Sequence, residues 1–329
     1  MNKIMKFLLY SGLGFLVVGL VLMFIGKVGH GYQGLNRLSN YEYVPSVSNP
    51  SKGKTTFDNV NAFNINAGIP VTIQSGNVKK TEVVVNSSQK NSGVQLKRDG
   101  QKLNIMTKKS KLRNDVHISF HNFLIGSGSG SGNGYPTNSK VTITVPKNET
   151  IKSVNQVKRG GALHLSNVHI GAINSNGISD DNNFDNVTSN HPIKLREVKR
   201  INKVTAPSLD IDDYKNDFNI TNSSFTKQAS TINVHSDDVD LKHNRWNNLM
   251  LISNDGYVYF NDQTTENNLT IQNNSGDITG HIKPSKHNII NTSTKSGDNN
   301  VYSHNDFVNV KPSYHYNFST NGGDINIKK

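Results

Sequence analysis

Cysteine is absent from the 329 residues, so a disulfide framework, a thiolate metal site and a lipid-modified N-terminal cysteine are all excluded. Tryptophan occurs once, at Trp246. Apolar residues are scarce too, at 33% of the chain with a mean hydropathy of -0.55. A compact globule of this length is usually richer in them. A solenoid reconciles length with polarity, because each coil buries a thin apolar strip against its neighbours and leaves its turns in water. Acidic residues are in deficit: Lys and Arg number 36 against 24 Asp and Glu, for a net charge of +12 and a pI near 9.6. Such a balance either favours polyanions (phospholipid headgroups, wall polymers, nucleic acid) or simply solubilises the surface.

What is present instead is alternation. In Leu269 to Gly280, LTIQNNSGDITG, Leu269 and Ile271 point one way, the chain turns through Ser275-Gly276-Asp277, and Ile278 points the same way again, with Gly280 two residues on. The same frame reads Leu209, Ile211, Phe218, Ile220; then Leu249, Leu251, Val258, Phe260; then Ile290, Thr292, Asn299, Val301; then Tyr316, Phe318, Ile325, Ile327. A further copy, Ile232, Val234, Val239, Leu241, reads as having a tighter turn. In the long-turn copies one turn slot holds Asn216, Gly256, Gly276, Gly297 and Gly323, residue types that reach positive φ cheaply. Period-2 apolar patterning broken by such turns, recurring about every 20 residues, predicts strand, turn, strand coils of a repeat architecture.

Phe7 to Gly26 carries no charge over about 20 residues, enough to span a bilayer as a helix. Lys3 and Lys6 precede it, which places the N-terminus in the cytoplasm and the remainder outside; Lys27 and Arg37 pull the other way. The rival is a cleaved signal peptide, disfavoured by the length of the run and by the lack of a small-x-small site after it. The expected organisation is a cytoplasmic tip at 1–6, a single-pass membrane anchor at 7–26, a Gly-, Pro- and Ser-bearing stalk at 27–56 and an all-β extracellular solenoid at 57–329. A Gly/Ser-rich loop at 121–140 interrupts the strands, with Phe123, Leu124 and Ile125 at its base as a buried plug or a binding tip. It is not a P-loop, since no Lys-Ser/Thr follows on a helix.

Three features resemble the DUF4097 family of adhesin-like bacterial surface proteins. Phe63-Asn64-Ile65 followed by Val71-Thr72-Ile73 looks like its opening strands. Val141-Thr142-Ile143-Thr144-Val145-Pro146 looks like its central strand. Asn274-Ser275-Gly276-Asp277-Ile278, Lys295-Ser296-Gly297-Asp298 and Asn321-Gly322-Gly323-Asp324-Ile325 look like its coils. Tyr257 and Asn299 depart from the Gly-Asp-Ile pattern. The resemblance implies a right-handed β-helix-like fold on the cell surface, a role in adhesion or envelope stress, and no catalytic residues to carry over.

Aspartates gather at Asp180-Asp181, Asp210-Asp212-Asp213 and Asp237-Asp238-Asp240. Carboxylates on a β-helix can hold calcium or cut acidic polysaccharides. Here Asp210, Asp212 and Asp240 alternate with inward positions and Asp237-Asp238 sit in a turn, so solubility and turn chemistry account for them. The Gly-Gly-x-Gly-x-Asp calcium repeat is missing. His117 and His121 would stand about 13 Å apart on a strand, too far to share an ion. No metal or cofactor site is therefore expected. Trp246, between Arg245 and Asn247, is either a sugar-stacking ligand contact or a corner residue packed on the next coil. The basic pairs lack interleaved aromatics, which argues against nucleic acid. The expected function is a non-catalytic, membrane-anchored binder of anionic envelope polymers or of a membrane protein. The alternatives are a polysaccharide-acting enzyme and a modulator of a neighbouring membrane stress sensor.

Overall fold

Short strands with one apolar face cannot close a core alone, so each must find partners above and below. The computed structural model of the chain describes residues 41–42, 51–87, 94–107, 112–113, 139–157, 161–177, 181–214, 217–302 and 313–329. The expected tip at 1–6, anchor at 7–26, most of the 27–56 stalk, residues 121–138 of the inserted loop and Asn216 lie outside the described residues. Among the described residues, no helix is long and apolar enough to cross a membrane.

The chain divides into two units. In one, 1–47 with 109–135, the described part is a parallel pairing of Tyr41–Glu42 with Leu112–Arg113. The other, 48–108 with 136–329, is an all-β stack of mostly parallel strands arranged in rows. The first row runs through Leu209–Asp213, the end of Ser224–Val234, the end of Arg245–Ser253, Asn268–Ser275 and Tyr314–Gly322. The second runs through Phe218–Thr221, Val239–Lys242, Val258–Asn261, Ile278–His281 and Ile325–Lys328. A short third row pairs Ser224 with Arg245 and Phe225 with Trp246, then continues to Thr264–Thr265.

Register puts like on like. Ile211, Ile232, Leu251, Ile271 and Phe318 stack down the first row, and Ile220, Leu241 and Phe260 down the second. All are buried. Below Phe260 the register partner is Gly280, and a Cβ there would collide with the Phe260 ring. That missing side chain leaves room for Phe260 to stack on Phe318 at 5.0 Å between centroids.

The coil through Ile232 does not have a tighter turn. Leu209 and Leu249 follow from the register as partners of Ser230, and Val234 pairs with Asp213 and Ser253. The turn therefore keeps its length while buried Ser230 takes the place of an aliphatic residue and donates no apolar signal; its Oγ accepts the Leu209 N–H at 3.0 Å. The strand Ser51–Phe57 begins inside the span expected to be stalk, pairing antiparallel with Thr81–Ser87. An edge strand needs little apolar content, and here an ion pair from Lys54 to Glu82 at 2.8 Å supports it.

Sequence order is broken at both ends of the stack. Tyr314–Gly322 and Ile325–Lys328 insert between the coil of Asn268–Ser275 with Ile278–His281 and the earlier coil of Asn288–Thr294 with Asn299–Val301. The outer coil is thus not the last in sequence. Its exposure explains why Thr292 and Asn299 stand where the other copies are apolar. At the other end Ala62–Asn66 lies between Lys102–Thr107 and Thr150–Gln156, and Val71–Gly76 lies between Lys140–Pro146 and Leu163–Ser175.

Candidate functional site

The turn from the first row to the second is where the repeat motif concentrates its chemistry. Gly256, Gly276 and Gly297 have φ of +100°, +109° and +135°, the region L side chains rarely adopt. Gly323 does not share that conformation, contrary to the expectation from its slot. It is glycine for a second reason that acts at all four: the turns stack so tightly that a Cβ would strike a backbone carbonyl of the adjacent coil, of Asp237, Gly256, Gly323 and Gly276 respectively.

Beside the glycines runs a carboxylate ladder. Asp217 Oδ1 accepts the Asp238 N–H at 2.9 Å, and Asp238 Oδ1 accepts the Tyr257 N–H at 2.7 Å. Further along, Asp277 Oδ1 accepts from Asp324 at 2.9 Å and Asp324 Oδ1 from Asp298 at 2.7 Å. Asp277 and Asp324 of the Gly-Asp turns, and Asp217 and Asp238 in the earlier coils, are therefore acceptors for backbone donors of the adjacent coil. Behind the turns, buried polar residues hold the carbonyls: Asn273 Nδ2 donates to Gly256 O at 2.9 Å and Gly276 O at 3.0 Å, and Thr320 Oγ1 donates to Gly276 O at 3.2 Å.

Among the described residues the exposed large apolar side chains are Tyr214, Ile252, Tyr257 and Tyr259, and all flank this turn, Tyr214 in one coil and the other three two coils further along. Tyr257 and Tyr259 are about 45% and 44% exposed, with ring centroids 6.0 Å apart and planes 30° from parallel. Tyr214 stacks on His235 at 3.9 Å, and His235 Nε2 lies 3.2 Å from Asp212 Oδ1. Burial pushes the Tyr259 phenol above its ordinary pKa, and Asp238, Tyr257 and Asp277 push it further. Burial likewise raises Asp237; the Ser236 hydroxyl opposes this, and Asp217, Asp213 and Asp238 add to it.

Trp246 is not at this surface or any other. It is fully buried in the third row, stacked on Phe225 at 5.0 Å, and its Nε1 donates to Gln263 Oε1 at 3.0 Å. The packed-corner reading holds, and the ligand-contact reading is corrected: strand pairing on both sides turns the ring inward despite its polar neighbours. Asp212 and Asp238, the acids an enzyme would need, are engaged with His235 and with the ladder. No group of three or more His, Asp or Glu among the described residues is placed to hold a metal.

The second bend, between the second and third rows, carries positive φ without glycine at Asn167, Asn186, Lys203, Asn222, His243 and Asp262, from 48° to 54°. Asn, Lys, His and Asp share this left-handed position, so no single residue type marks the bend in the sequence. Asp262 sits between His281, 2.9 Å from Nδ1, and His243, 3.4 Å from Nδ1.

An all-β stack of parallel strands with tight Gly-Asp turns defines a β-solenoid class of protein. The model of the Toastrack DUF4097 family matches residues 60–328, and the chain belongs to that family. No curated protein matches it. Solved structures similar to it include a "putative adhesin" from Bacteroides fragilis, at 12% identity and TM-score 0.41, covering 86% of this chain and 99% of that one. Another is a "putative lipid binding protein" from Parabacteroides distasonis, at 13% identity and TM-score 0.40, covering 86% and 98%. A third is a "putative adhesin" from Parabacteroides merdae, at 12% identity and TM-score 0.33, covering 86% and 97%.

Proposed function

We propose that this chain is a membrane-anchored, surface-exposed, non-catalytic β-solenoid that binds an envelope component. Residues 7–26 cross the membrane with the N-terminus in the cytoplasm, the following segment to about residue 50 spaces the solenoid from the bilayer, and the β domain lies outside the cell. The coils wind right-handed, as crossovers between parallel strands almost always do. The observation that carries the binding reading is the division of labour at the first turn: the carboxylates are committed to backbone donors, while tyrosines stand exposed beside them. Membership in the Toastrack family is compatible with this reading.

The +12 net charge adds a sequence-independent attraction to anionic wall polymers and acidic phospholipid, which weakens steeply with salt. The test is retention of the full-length chain, in detergent micelles, on teichoic-acid-bearing wall material from low to several-fold physiological salt, with release of sugar fragments assayed in parallel. Retention that fades with salt and no released fragments are expected. Fragments that disappear in Asp212→Asn or Asp238→Asn would replace the binder with an enzyme.

A further inference from the structure

We propose that Tyr257 and Tyr259 form a stacking platform for an uncharged, hydroxyl-rich glycan chain, with the adjoining groove on the second row holding its polar edge. The inference rests on the binder reading and names the ligand class of its exposed turn.

Tyr259 is one of the outward residues of Val258–Asn261, and Tyr257, two positions before it, is the residue that leads into that strand. Residues two apart on a strand face the same side about 6.7 Å apart, and the two ring centroids lie 6.0 Å apart with their planes 30° from parallel. That arrangement presents two flat faces to two successive pyranose rings. Tyrosine suits the task because its ring is large, amphipathic and limited to two torsions, so little entropy is lost on contact. The platform is rigid: Val258 and Phe260 on either side of Tyr259 are buried, and the Tyr257 N–H is fixed by Asp238.

The groove beside Tyr259 has a volume of about 700 Å³, with Asp240, Asp262 and Thr279 offering acceptors and Lys242 and Lys328 offering donors. Asp240 and Thr279 are the register partners of Tyr259 on the coils above and below. Asp240 turns one oxygen to Lys242, and its other oxygen is enclosed without a donor. Mixed donors and acceptors match a polyhydroxyl ligand. A polyanion is disfavoured against the Tyr259 ring, because the charges of Asp238 and Asp277 act on it. The site thus differs in chemistry from the basic surface as a whole, and salt separates the two.

The experiment is calorimetric titration of the full-length chain in a sugar-free detergent at about 0.5 M salt, where exposed charges are screened within a few ångströms. The probes are the hexamers of β-1,4-linked N-acetylglucosamine and of β-1,4-linked glucose, with a galacturonate hexamer as anionic comparator. We expect at least one neutral hexamer to bind, to lose about tenfold or more in affinity in Tyr257→Ala and in Tyr259→Ala, and to be retained within about threefold in the Phe variants. The galacturonate hexamer should bind at least about tenfold more weakly. Failure of both neutral hexamers to bind, equal binding by the Ala variants, or stronger binding of galacturonate would overturn the proposal. Loss of wall retention at low salt would instead remove the electrostatic part of the binder reading. The rings are exposed, so unchanged melting of the variants is expected and confirms that they fold.

Discussion

Gly276 and Gly322 lie in equivalent turns, yet substitution should separate them. Gly276 combines a φ of +109° with a Cβ position blocked by the Gly256 carbonyl, whereas a Cβ on Gly322 would meet nothing nearer than Asn274 O at 3.8 Å. Gly276→Val should therefore cost about 1 to 3 kcal/mol from backbone strain, with a steric penalty added. Gly322→Ala should stay within about 0.5 kcal/mol. Denaturant midpoints measure both, and equal midpoints would refute the stacking of these turns. At this scale the sequence marked the inward residues well, because Ile and Val alternating with Asn and Thr have few other ways to hide. It did not separate the two reasons for glycine, since positive φ and close approach leave the same letter. Nor did it place Trp246, whose burial depends on Phe225 from another coil.

A turn is the element where charge and hydrogen bonding trade against each other. Asp237 has a raised pKa from burial and from neighbouring carboxylates. An acid with a raised folded pKa holds its proton longer in the folded state, so stability falls as pH rises from the ordinary value of 3.8 through the folded one. Asp237→Asn should consequently be more stable than the parent at neutral pH and lose that advantage below the ordinary carboxylate range. Urea unfolding at both pH values reads the difference, and a variant less stable at neutral pH would show that the Ser236 hydrogen bond outweighs the repulsion. The first turn was legible because Ser-Gly-Asp repeats; the second bend was not, because Asn, Lys, His and Asp share its left-handed position. The coil through Ile232 was misread for a related reason: buried Ser230 looks like a surface residue until its hydroxyl is seen accepting the Leu209 N–H.

Over the whole molecule, the stack is closed by strands that violate sequence order. Threading Tyr314–Gly322 inward leaves the coil of Asn288–Thr294 outermost, and Thr292 and Asn299 mark that exposure in polar letters. Those letters were visible, but a linear repeat frame reads them as weak coils, because the order of coils in space depends on contacts between distant residues. The outer coil tolerates them since, among the described residues, no further strand pairs with its outer edge. The basic balance of the chain likewise hides an acidic turn, which only the stacking of Asp217 with Asp238, and of Asp277 with Asp324, assembles.

Display of this stack outside the cell, on an N-terminal anchor, is the central claim, and the absence of cysteine provides a direct test. Single cysteines are introduced at Lys286, exposed on the loop after Ile282, and at Lys3, ahead of the apolar run. Intact cells are then treated with a membrane-impermeant maleimide. Lys286→Cys should label without permeabilisation and Lys3→Cys only after it; labelling of Lys3→Cys on intact cells, with Lys286→Cys protected, would contradict the account.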